Sequence, residues 1–96
     1  MDLRHRIREI PDFPRNGILF RDISPLMRDP ESWDFVLNEF ADYCDQINPD
    51  VIAGIEARGF IIGSSLATFK RLAFVPIRKK GKLPGEIISK DYSLEY

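Results

Sequence analysis

Cysteine, histidine and tryptophan each occur once in this 96-residue chain, and that scarcity narrows its chemistry. A lone Cys44 cannot close a disulfide within the chain, which fits a reducing compartment and leaves packing to hold the fold. Cys44 itself reads as a small buried residue on a helix. A lone His5 on a basic stretch offers no metal-site spacing, so no metal ligand is expected among these residues. No apolar run approaches the roughly 18 residues that cross a bilayer, so no transmembrane helix is expected. The opening MDLRHRIREIPDF is charged throughout and lacks the apolar centre of a signal peptide, which points to the cytoplasm. Neither G-x-x-x-x-G-K-[ST] nor G-x-G-x-x-G occurs, which removes ordinary P-loop and dinucleotide-binding readings.

Acid is missing from one long stretch. Between Ala57 and Gly85 stand seven basic residues (Arg58, Lys70, Arg71, Arg78, Lys79, Lys80 and Lys82) and no Asp or Glu. The remaining seven basic residues face all 15 acids, a balance of −8, so a formal net charge of −1 conceals a strong asymmetry. Lys70 and Arg71 fall where a helix should end, and cations there simply complement the helix dipole. The run Arg78-Lys79-Lys80-Gly81-Lys82 is different. A glycine amid four cations reads as a loop that folds over an anion such as a phosphate. A solvated basic face is the plain alternative. Nucleic acid is not expected, since the rest of the chain is acidic and no nucleic-acid-binding motif accompanies the cluster.

What the chain does contain is an α/β pattern. Leu3, Ile7 and Ile10 line up on one side of residues 2 to 10, which predicts a short helix ended by Pro11 and Pro14. A turn-rich connector follows, then a brief extended run at Ile18-Leu19-Phe20 closed by Arg21-Asp22 and Ser24-Pro25. Asp29, Pro30 and Glu31 form a helix start. Behind them Trp33, Val36, Leu37, Phe40, Ala41, Cys44 and Ile47 keep a 3.6-residue period until Asn48-Pro49. Val51 to Ile55 reads as a strand, Phe60 to Arg71 as a helix and Leu72 to Ile77 as a second strand. Strand, helix and strand with short connections make a βαβ unit, hence a parallel sheet with a right-handed crossover. Both strands are apolar runs rather than alternations, as in sheets covered on both faces. Glu86-Ile87-Ile88-Ser89 resumes an extended pattern.

In such sheets ligands lie beyond the carboxyl ends of the strands, and helix N-termini attract anions. The strand ending at Ile55 runs into Glu56-Ala57-Arg58-Gly59 and a helix, while the strand ending at Ile77 delivers the basic loop to the same edge. A phosphate or pyrophosphate ligand follows from that placement.

The segments PDFPRNGILFRDISPLMRDP, DVIAGIEARGFIIGSSLA, RKKGKLPG and YSLEY, in this order and across essentially the whole chain, resemble adenine phosphoribosyltransferases. The resemblance implies a type I phosphoribosyltransferase fold, a parallel sheet flanked by helices with an N-terminal hood segment. It implies one domain over 1–96, with the N-terminal helix and hood in 1–28 and the α/β part in 29–96. It further implies transfer of a phosphoribosyl group from phosphoribosyl pyrophosphate to adenine, giving AMP and pyrophosphate, in purine salvage by a homodimer. Leu19, Phe20 and Arg21 match the strand that holds adenine, with Phe20 against the base; ordinary core packing is the alternative for Phe20. Glu56, Ala57, Arg58 and Gly59 match the pyrophosphate loop, whose Glu56–Ala57 peptide is cis in relatives. Arg78, Lys79 and Lys82 match cations that reach the pyrophosphate and phosphoribosyl groups. Glu95 matches the catalytic carboxylate beside the imidazole ring of adenine, and Tyr96 the aromatic next to it; an exposed loop acid is the alternative for Glu95.

The family pattern continues well past Tyr96, into an acidic segment ending in Thr-Gly-Gly-Thr that holds ribose, the 5′-phosphate and Mg²⁺. The expectation is therefore a truncated fold in which Mg²⁺ is bound mainly through the substrate pyrophosphate and no protein ligand for it lies in these residues. The competing reading, from a different class, is a non-catalytic purine- or phosphate-binding fragment or regulator.

Overall fold

Asp29 and Pro30 set the start of the longest element in the computed structural model, which describes residues 1–92. The Asp29 carboxylate accepts from the Ser32 amide at 3.2 Å and from the Ser32 hydroxyl, and the Asp29 carbonyl accepts the Trp33 N–H at 2.9 Å. The chain divides into two compact units, Met1–Val36 with Tyr92, and Leu37–Asp91, so that this helix begins in one and ends in the other.

In the first unit, the antiparallel hairpin of β1 (Arg8–Pro11) and β2 (Leu19–Asp22) replaces the helix expected over residues 2 to 10. Only a 3-10 turn at Arg4–Arg6 remains helical. The spacing of Leu3, Ile7 and Ile10 fits a short helix, but three apolar residues give no decisive period. Cross-strand pairing decides instead, with Ile10 opposite Phe20 and Arg8 opposite Asp22. The Arg8 guanidinium lies 2.5 Å from the Asp22 carboxylate. A short helix α1 (Ser24–Arg28) follows, with Pro25 inside its first turn, where proline is tolerated, and Leu26 buried. Ser24-Pro25 thus follows the end of the extended run at Asp22 and opens a helix. Arg6 pairs with Asp29 at 3.5 Å, tying the first turn to the start of α2 (Pro30–Ile47).

The second unit contains the βαβ expected: β3 (Val51–Ile55), α3 (Arg58–Lys70) and β4 (Ala73–Ile77), with β3 and β4 parallel from Val51 opposite Ala73 to Ile55 opposite Ile77. The core is Ala41 and Cys44 of α2 against Leu66 of α3, with Leu37 and Ile52 packed onto it. Lys70 of α3 meets Asp45 of α2 at 2.5 Å, which raises the Lys70 pKa above its ordinary value. Arg71 ends α3 in the left-handed conformation at φ 59°; the Leu72 N–H returns to the Ala67 carbonyl at 2.8 Å and the Arg71 N–H to the Thr68 carbonyl at 3.2 Å, closing the helix as a Schellman motif does. Sheet cover differs from expectation. Ile52, Gly54 and Phe74 face inward, whereas Val51, Ile55, Val75 and Ile77 remain about half exposed, so one face alone is packed among the described residues. No strand forms at 86–89 either, and all four of those residues are exposed.

The first unit carries a pH prediction. Hydrogen bonds from the Ser24 hydroxyl and amide, then from Arg8, hold the Asp22 carboxyl at a pKa of about 2, and the Ser32 hydroxyl lowers that of Asp29. Carboxyls depressed on folding stabilise the native state above their unfolded value, and that contribution is lost as pH falls through the folded one. The urea midpoint is therefore expected to fall as pH drops from the ordinary carboxylate value of 3.8 toward 2. Asp22→Asn should flatten this slope; an unaltered slope in the variant would remove Asp22 from the account.

Candidate functional site: a basic loop beside a helix entrance

Beyond the paired ends of β3 and β4, the chain places Glu56, Ala57, Arg58 and Gly59 next to the loop that starts at Arg78. The two segments are joined three times. The Glu56 N–H donates to the Ile77 carbonyl at 3.0 Å, extending the strand ladder by one step. The Glu56 carboxylate accepts the Lys79 N–H at 2.5 Å, and the same oxygen lies 3.7 Å from Nε of Arg78. The loop then folds on itself. The Lys82 N–H donates to the Lys79 carbonyl at 3.1 Å, Nη1 of Arg78 reaches the Lys82 carbonyl at 3.4 Å, and Gly81 takes φ +86°. The Arg78 guanidinium lies 5.9 Å from the centre of the Phe60 ring, which meets Phe74 edge-on at 6.0 Å.

The helix entrance is equally specified. Ala57 stands at the N-cap without a side-chain cap, no acid occupies the first turn of α3, and Arg58 is its first residue. The Glu56–Ala57 peptide is cis, as the resemblance implied. Gly54 and Gly59 let β3 and the first turn of α3 approach closely: a Cβ on Gly54 would stand 2.3 Å from the Gly59 carbonyl oxygen. Uncapped amides, Arg58 and the exposed side chains of Lys79, Lys80 and Lys82 thus share one end of the sheet. Such a set can hold the oxygens of a phosphate or pyrophosphate. An open apolar groove of about 380 Å³ along Phe40, Ile52, Ile62 and Leu66 reaches Gly54 and Gly59 at the helix entrance and offers no charge to such an anion.

The other predicted residues lie elsewhere. Leu19, Phe20 and Arg21 are on β2 of the first unit, with Leu19 and Arg21 exposed and Phe20 half-buried. Phe13, which the sequence reading passed over, meets Phe20 edge-to-face at 5.2 Å, its neighbouring Phe13–Pro14 peptide being cis. Glu95 and Tyr96 fall outside the described residues. Sequence reasoning also missed the Phe60 ring beneath Arg78; its place two residues after Arg58 was the available signal. Among the described residues no group of three His, Cys, Asp or Glu side chains could hold a metal ion, and no helix is long and apolar enough to cross a membrane.

The fold, a parallel βαβ unit with helices and an N-terminal hairpin, is that of the type I phosphoribosyltransferases. Within that class, the chain is similar over its whole length to adenine phosphoribosyltransferases. It is 60% identical over 96 residues to the adenine phosphoribosyltransferase of Prochlorococcus marinus (strain MIT 9313), covering all of this chain and 56% of that one. The crystal structure of adenine phosphoribosyltransferase from Thermoanaerobacter pseudethanolicus superimposes with a TM-score of 0.88 at 43% identity, over 94% of this chain and 54% of that one. The enzyme of Saccharomyces cerevisiae, crystallised with D-2,5-dideoxy-2,5-imino-altritol 1,6-bisphosphate and adenine, gives 0.80 at 40% identity, over 88% and 52%. No protein-family model matches the sequence. The chain spans about half the length of the curated relatives it matches.

Proposed function

We propose that this chain supplies the pyrophosphate-holding and adenine-holding parts of an adenine phosphoribosyltransferase, which converts adenine and phosphoribosyl pyrophosphate to AMP and pyrophosphate. The observation that carries the reading is the juxtaposition of the Glu56-to-Gly59 turn with the Arg78-to-Lys82 loop at one sheet end. Breaking the bond to pyrophosphate leaves positive charge on the ribose and negative charge on the departing group. Fixed cations and helix amides at the leaving group favour that separation in the transition state. In this scheme Arg58, Lys79 and Lys82 face the pyrophosphate, and Arg78 is shared between loop structure and ligand. Leu19, Phe20 and Arg21 hold adenine, and Glu95 accepts its ring proton as the base attacks, with Tyr96 beside it.

Mg²⁺ accompanies the pyrophosphate in this proposal. The described residues do not form a site for it, since Glu56, the acid at this sheet end, is engaged by Lys79 and Arg78. A cytoplasmic homodimer completes the reading; it fits a free buried Cys44 and rests otherwise on the family likeness.

Arg58→Ala and Lys82→Ala test it. Each is expected to weaken binding of phosphoribosyl pyrophosphate by about tenfold or more, the scale of one lost charge-assisted contact, and to leave adenine binding within about threefold. Calorimetric titration of both ligands measures this. Unchanged phosphoribosyl pyrophosphate affinity in both variants would leave the basic stretch a solvated face and sink the proposal. Tight binding of purine without any phosphate preference would favour the non-catalytic binding module.

A further inference from the structure

An acid at the centre of a cationic, phosphate-holding edge is electrostatically out of place unless it has another task. From Ala57 to Gly85 the chain has no Asp or Glu, yet Glu56 stands immediately before that stretch with its side chain turned into it. The carboxylate is largely sheltered, its side chain 17% exposed, and among the described residues it meets Lys79 and Arg78 of the basic loop. It accepts the Lys79 N–H at 2.5 Å and faces Nε of Arg78 at 3.7 Å, while the Glu56 main chain holds Ile77. The last residue of β4 and the two that follow it are therefore fastened to one residue after β3. The rest of the loop depends on that fastening, since Lys79 receives the Lys82 N–H and Arg78 reaches the Lys82 carbonyl.

The geometry points to Glu56 as a positioning residue: it does not contact the anionic ligand but holds the Arg78-to-Lys82 loop in register with the turn that opens α3. This deepens the proposed function and rests on it for the identity of the ligand. Two consequences follow from the chemistry. The bond to the Lys79 N–H needs only an acceptor oxygen, so glutamine can keep it. The attraction to Arg78 needs the negative charge, and glutamine loses it. An alanine loses both and frees the loop. A carboxylate whose sole effect was repulsion would behave oppositely, because removing it would improve anion binding.

The experiment compares the wild-type chain with Glu56→Gln and Glu56→Ala by amide hydrogen exchange at Lys79 and by calorimetric titration with inorganic pyrophosphate. In wild type the Lys79 amide is expected to be protected. Glu56→Ala should speed its exchange at least tenfold and weaken pyrophosphate binding by about tenfold or more, since a hydrogen bond to a charged group is lost with the loop geometry. Glu56→Gln should keep most of the Lys79 protection and bind pyrophosphate within about threefold to fivefold of wild type, a rescue by the conservative variant. Tighter or unchanged pyrophosphate binding in Glu56→Ala would overturn the inference, as would a wild-type Lys79 amide that exchanges as fast as in the alanine variant. A wild-type chain that binds no pyrophosphate overturns instead the phosphoribosyl reading, while the Lys79 amide still decides whether Glu56 fastens the loop.

Discussion

Gly54→Ala is expected to cost this chain about 3 kcal/mol or more of folding stability, at or beyond the upper end of ordinary overpacking. The added methyl would stand 2.3 Å from the Gly59 carbonyl oxygen, 2.8 Å from its carbon and 2.9 Å from Cε1 of Phe74. Two of those three atoms are backbone in the first turn of α3 and cannot swing aside as a side-chain end can. Either β3 and α3 separate or the Glu56-to-Gly59 turn shifts, and both displace the helix entrance from the basic loop. Gly63 supplies a contrast. A Cβ there meets the Phe74 ring at 2.6 Å, and a ring can tilt, so Gly63→Ala should cost less. Urea denaturation of both variants measures the difference, and pyrophosphate titration of Gly54→Ala should show lost binding even at temperatures where the variant stays folded. A Gly54→Ala chain within about 1 kcal/mol of wild type, with pyrophosphate affinity intact, would show that the close approach is not needed. Total stabilities of about 5–15 kcal/mol make a 3 kcal/mol loss easy to detect.

The elements that sequence reading recovered are those whose period runs long. Helix α2 keeps its apolar stripe from Trp33 to Ile47 and begins at Asp29-Pro30, so periodicity and capping agree. The βαβ unit is legible because Asn48-Pro49 punctuates one end and a change from apolar run to basic loop the other. The N-terminal segment is not legible in the same way. Leu3, Ile7 and Ile10 suit one face of a helix, and only the partner strand at Leu19–Asp22, eight residues further on, selects the hairpin. The exposed faces of β3 and β4 have a similar origin. Apolar runs announce cover on both sides, but the described residues provide it on one.

The candidate site divides along the same line. Its cations were legible, because strand ends and an acid-free stretch can be read from one dimension. The role of Glu56 was not, since its partner is a main-chain N–H 23 residues away and any residue but proline could supply one. Phe13 beside Phe20 and Phe60 beneath Arg78 were missed for a related reason: an aromatic near a turn reads as core until its neighbour is known.

Leu66→Ala carries the other large expectation, a loss of about 2–5 kcal/mol. Leu66 is 6% exposed and joins Ala41 and Cys44 of α2, with Leu37 and Ile52 packed against them. Few residues of this unit are so thoroughly enclosed, and its buried neighbours from α2, Ala41 and Cys44, are small. Truncation therefore opens a space that neither Ala41 nor Cys44 can fill by changing rotamer. Helix α3 offers an internal control, because apolar residues lie around its circumference. Ile61 is 43% exposed and Phe69 49%, so Ile61→Ala and Phe69→Ala remove surface that is already half in water. Each should cost well under half of the Leu66 loss, the transfer contribution scaling with area withdrawn from water. The three variants can be compared by their urea midpoints at constant slope, which separates a change in stability from a change in the denatured state. A clear separation, with Leu66 far ahead, means that α3 docks on α2 through one defined contact. Equal losses at Leu66, Ile61 and Phe69 would mean that the helix holds no fixed face, and the packing of Leu66 on Ala41 and Cys44 would have to be abandoned as the centre of this core.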